Sequence, residues 1–63
     1  MKTINVGTLV KDNGKNPLTH DGLGIIIDIW EENFYRYITV SWLKSKINYS
    51  YALDKNANWL EIL

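Results

Sequence analysis

At 63 residues the chain has room for one small domain and no more; a domain of that size buries only about 60% of the surface its unfolded form exposes. It has no cysteine, so neither a disulfide nor a thiolate metal site can brace it, and three Trp, four Tyr and one Phe are left to fill the core. Seven basic residues balance seven acidic ones; this lacks the basic excess that drives most nucleic-acid affinity and leaves little net charge to oppose self-association.

Turn punctuation divides the sequence into five short strand signals. Val6–Val10, rich in β-branched residues, is the first expected strand. Lys11–Asp21 follows as a long loop, marked by Asn13-Gly14, Pro17 and Asp21-Gly22. The second strand is expected over Gly24–Trp30. Its three consecutive isoleucines, Ile25, Ile26 and Ile27, break strict alternation, as in a strand covered on both faces or bent by a bulge. Gly22 and Gly24 bracket its start, where the chain needs positive φ or a close backbone approach.

Glu31-Glu32-Asn33-Phe34 reads as a polar connection. From Tyr35 to Leu43 the alternation is clear: Ile38, Val40 and Trp42 share one face, and Tyr37, Thr39 and Ser41 the other. A tight turn at Lys44-Ser45 leads into a fourth strand, Lys46–Ala52, forming a hairpin. Asp54 is placed to cap a single turn of 3₁₀ type. Trp59–Leu63 closes the sheet, with Leu60 and Ile62 inward and Glu61 outward.

The expected architecture is therefore all-β: a single domain over residues 1–63, a five-stranded SH3-like barrel with a long loop after strand 1 and a 3₁₀ turn before the last strand. An OB-fold would need a helix between its third and fourth strands, which Lys44-Ser45 cannot hold. No apolar run is long enough to span a bilayer, and Met1–Asn5 opens no signal-peptide segment. The expectation is a soluble intracellular protein, without a membrane partner, or one packaged into something assembled inside a cell.

Val6-Gly7-Thr8-Leu9-Val10, Gly22-Leu23-Gly24-Ile25-Ile26, Ile38-Thr39-Val40-Ser41-Trp42 and Trp59-Leu60-Glu61-Ile62-Leu63 together resemble small SH3-like barrel proteins of tailed phages, the marine cyanophage type among them. The resemblance spans nearly the whole chain and rests on structural positions. It implies a fold, with a place in the cytoplasm of an infected cell or in a virion, and transfers no catalytic residues. Thr8 departs from the pattern, which commonly has an acid there. A looser similarity links the glycine-then-aliphatic second strand to KOW-type barrels.

Groups able to do chemistry are sparse. His20 is the sole histidine, with Asp12 and Asp21 nearby in sequence, and zinc needs more ligands of the right type than these. Ser41, Ser45 and Ser50 lie in no nucleophile elbow, and Asp28, Glu31 and Glu32 read as solubilising acids. No catalytic residue, metal or cofactor is expected. The informative feature is aromatic: Trp30, Phe34, Tyr35 and Tyr37 cluster around the second connection, while Trp42, Tyr49 and Tyr51 come from the adjoining hairpin. Such rings either fill a small barrel or form an interaction surface.

The sequence thus points to a non-enzymatic interaction or assembly module that binds protein, its own copies included, through Trp30, Tyr35, Arg36, Trp42 and Tyr49. The alternative is a nucleic-acid-binding barrel, in which Arg36, Lys44 and Lys46 meet phosphate while tyrosines stack on bases. No small-molecule substrate is inferred.

Overall fold

The computed structural model describes residues 4–14, 22–56 and 58–63. Its strands are β1 (Leu9–Asp12), β2 (Leu23–Glu32), β3 (Tyr35–Trp42), β4 (Asn48–Ala52) and β5 (Leu60–Ile62), with a 3₁₀ turn at Asp54–Asn56 before β5. All pairings are antiparallel, in the order β4-β3-β2-β1-β5. Most of the expected long loop, His20 included, lies outside the described residues. Lys11 and Asp12, expected in that loop, are the last residues of β1. Asp12, buried, accepts the Gly14 N–H at Oδ1 (2.8 Å), and Asn13 Nδ2 donates to the Asn58 carbonyl (2.9 Å).

The strands follow the sequence periodicity, but several boundaries shift. β2 runs on to Glu32, so the expected Glu31–Phe34 connection shrinks to Asn33-Phe34. β1 starts later than the expected Val6, because Asn5–Thr8 forms a turn (Thr8 N–H to Asn5 C=O, 3.0 Å) with Gly7 at φ 95°. The β3–β4 connection is longer than Lys44-Ser45. Trp42 N–H still donates to Ile47 C=O, and Lys46, at φ 61°, turns the chain back before β4 begins.

Ile38, Val40 and Trp42 are fully buried, as the alternation of β3 requires, and join Val10, Ile26, Trp59 and Leu60 in one core. The isoleucine run resolves into a bulge. Ile26 pairs with Val40 and Asp28 with Thr39, so Ile27 is the extra residue. Before the bulge Gly24 and Ile26 face the core; after it Ile29 does, opposite Ile38. Parity therefore switches within β2, and Trp30 moves to the outer face.

The two glycines at the start of β2 divide their expected roles. Gly22 has φ 76°, the left-handed conformation that starts the strand. Gly24 lies flat beneath the core: a Cβ there would stand 2.5 Å from Val40 Cγ1 and 2.9 Å from Trp42 Cε3.

The expected closure of the sheet by strand pairing is not seen. β4 and β5 are its two edges, and no ladder joins them among the described residues. The 3₁₀ turn at Asp54–Asn56 follows β4, and side chains span the gap between the edges. Trp59, just before β5, meets Tyr51 of β4 edge-on (5.1 Å, 77°) and packs against Trp42 of β3 (6.3 Å). Two hydrogen bonds fix these rings: Trp42 Nε1–H to Tyr51 Oη (3.0 Å) and Trp59 Nε1–H to Asn56 Oδ1 (2.8 Å). A buried indole N–H left unpaired would be costly, so the two bonds set ring orientation as well as contact.

Candidate functional site

The β2–β3 hairpin is the longest element pair in the fold, and its outer end carries a group of aromatic side chains. Trp30 stands opposite Tyr37, and Glu32 opposite Tyr35, in the ladder. Opposed residues share a face, and so do residues two apart on one strand. Trp30, Tyr35 and Tyr37 therefore lie on the same outer face. The Trp30 and Tyr37 rings stack, with centroids 5.7 Å apart and planes at 15°. Both are half-buried, while Tyr35 is 47% exposed. Lys55, in the 3₁₀ turn, brings its Nζ to 5.8 Å from the Tyr35 centroid. That face of the ring already meets a cation, so a ligand cation seeking an aromatic cage would have to displace it.

Asn33 and Phe34 form the two-residue turn between β2 and β3, both with positive φ (53° and 69°). This is the twist of a type I′ hairpin turn, where Asn-Gly is the preferred pair. Asn suits its position. Phe does not, since a bulky L-residue in the left-handed region is strained. The Phe34 side chain is also fully exposed, at 105% relative accessibility. A strained backbone presenting a large apolar ring to water contributes nothing to the core.

The five residues expected to bind do not form one surface. Trp30 and Tyr35 come together as described. Arg36 is exposed but stands opposite Glu31 on the other side of the hairpin, because it is adjacent to Tyr35 in a strand whose side chains alternate. Tyr49 stands opposite Val40 on the core-facing side of the sheet, 46% exposed, with its ring 6.2 Å from that of Tyr51. Trp42 requires a correction: it is fully buried, held by Tyr51 and Trp59, and belongs to the core. Its place in the run Ile38, Val40, Trp42 gave the inward face; what the sequence did not reveal was that Trp59 would cover it.

Phe34 and Tyr37 belonged to the expected aromatic cluster but not to the five chosen residues. The sequence pattern spread this connection over Glu31–Phe34; only the extension of β2 to Glu32 leaves a two-residue turn, which calls for φ values that Phe rarely adopts. Among the described residues no three metal-ligating side chains converge. No family model, curated protein or solved structure matches the chain.

Proposed function

We propose that the chain is an SH3-like barrel of the small tailed-phage kind, serving as a non-enzymatic module that binds protein through the aromatic tip of its β2–β3 hairpin. The sheet order β4-β3-β2-β1-β5 and the 3₁₀ turn just before β5 support the barrel reading. Its open seam, spanned by Trp59 and Tyr51, is then the gap that a partly open barrel leaves. The sequence resemblance supports a phage origin, and with it a role in the infected cell or in the virion.

The observation that carries the binding role is Phe34, a fully exposed ring on a positive-φ turn residue of the hairpin that also carries the stacked Trp30–Tyr37 pair and the half-exposed Tyr35. Anchors of protein interfaces are typically aromatic side chains that enter a pocket on the partner. The bulge at Ile27 extends the site, since it turns Trp30 outward.

One contact favours the nucleic-acid reading: Lys55 against Tyr35 pairs a cation with a ring able to stack on a base. Among the described residues the other basic side chains do not gather there. Arg36 faces away, and Lys44 lies beyond the far end of β3, about 20–25 Å along the strand. Glu31 and Glu32 also flank the tip. A protein partner fits this surface better. The test is capture by tagged protein with and without nuclease, against a Trp30→Ala/Tyr35→Ala control. Capture that survives nuclease and is lost in the control supports the proposal. Capture abolished by nuclease, weakening steeply with salt, establishes the alternative.

A further inference from the structure

Among the described residues β4 is an edge strand, and its hydrogen-bonding parity can be read directly. Trp42 N–H donates to Ile47 C=O (3.0 Å) and Leu53 N–H to Arg36 C=O (2.9 Å), at the two ends of the β3–β4 ladder. Hydrogen-bonded pairs alternate with non-bonded ones in an antiparallel ladder. Tyr49 and Tyr51 therefore bond to β3, while the N–H and C=O groups of Asn48, Ser50 and Ala52 point out of the sheet. The Ala52 carbonyl receives Asn56 Nδ2–H (2.7 Å). Asn48, Tyr49 and Ser50 are all exposed. Natural edges are usually shielded by a charge, a proline or a bulge. The β4 sequence, Asn-Tyr-Ser-Tyr-Ala, has no charge or proline, and its register is regular.

We infer that this edge pairs with β4 of a second copy of the chain, antiparallel about a two-fold axis at Ser50. The inference rests on the reading of the protein as a binding module and names a second, separate surface. The strand is self-complementary in this register. Ser50 faces Ser50 of the partner in a bonded pair, and Asn48 faces the partner's Ala52. Tyr49 faces the partner's Tyr51 at a non-bonded position, where cross-strand side chains approach most closely. The core-side row of Tyr49, Tyr51 and Trp59, already in ring contact within one chain, then runs on into the partner. Charge agrees as well: Lys46, just before β4, comes to the end of the ladder where the partner's Asp54, just after it, arrives. With net charge zero, no overall repulsion opposes the pairing.

Sedimentation equilibrium and amide hydrogen exchange, from micromolar to millimolar protein, test this. The expected result is a dimer whose Asn48 and Ser50 amides exchange more slowly as concentration rises. Ser50→Pro removes an outward N–H that β3 does not use. It should weaken dimerisation about tenfold, as expected for losing the bonds at the two-fold axis. Asp54→Lys should weaken it roughly fivefold at low salt and Lys46→Asp/Asp54→Lys restore it, a readout that does not depend on Ser50→Pro folding. A chain monomeric throughout, or a dimer with unchanged Asn48 and Ser50 exchange, overturns the inference. If such a monomer still captures protein through Trp30 and Tyr35, the proposed function survives the loss of the dimer. If a β4 dimer forms while that face captures nothing, the dimer stands and the proposed function fails.

Discussion

Trp30 and Tyr37 stack across the β2–β3 ladder at 5.7 Å, on the face turned away from the core. Aromatic pairs of this kind contribute about 0.5–1.5 kcal/mol beyond the area they bury. A double-mutant cycle of Trp30→Ala and Tyr37→Ala, read by urea denaturation, should return a coupling in that range. A coupling near zero would mean that the rings lie side by side without supporting each other.

Gly24 is fixed by crowding. An added methyl group would meet Val40 and Trp42, whose own side chains are fully buried and have nowhere to move. Gly24→Ala should lower stability by about 1–3 kcal/mol, measured as a shift in denaturation midpoint with unchanged slope. Equal midpoints would show that the sheet can separate there at little cost.

Much of the fold was legible wherever a strand kept one regular pattern. Ile38, Val40 and Trp42 alternate without interruption, and all three are buried on the single face that the alternation made them share. Leu60 and Ile62 likewise point toward the core with Glu61 outside. Trp30 was harder. Ile25-Ile26-Ile27 contains no residue that says where the bulge falls, and β3 settles it through the pairing of Asp28 with Thr39. The face of Trp30, and so the makeup of the candidate site, depends on a partner strand rather than on local sequence. Trp42 failed as a surface residue for a similar reason: Trp59, distant in sequence, covers it.

Trp42 should be indispensable to folding. Truncating a buried Trp to Ala costs about 3–5 kcal/mol, comparable to the roughly 3–5 kcal/mol that a core of this size supplies. Trp42→Ala should therefore show no cooperative thermal transition by circular dichroism. Tyr51→Phe removes the acceptor for the Trp42 indole N–H while keeping the ring, and should cost about 1 kcal/mol while leaving the transition cooperative.

Phe34 reverses the usual direction. Left-handed backbone costs an L-residue about 1–2 kcal/mol, against roughly 0.5–1 kcal/mol for the freedom glycine adds to the unfolded chain. With no buried contact to lose, Phe34→Gly should stabilise the protein by about 0.5–1 kcal/mol. A loss of stability would show that the ring packs somewhere in the fold.

The most direct test of the central claim joins that variant to binding. Nuclease-treated lysate is passed over the parent protein and over Phe34→Gly, after thermal melts establish that both are folded. The account predicts a specific protein retained by the parent and lost from a variant at least as stable, because the exposed ring serves the partner and not the fold. Equal retention by both proteins, or no retention by either, would contradict it.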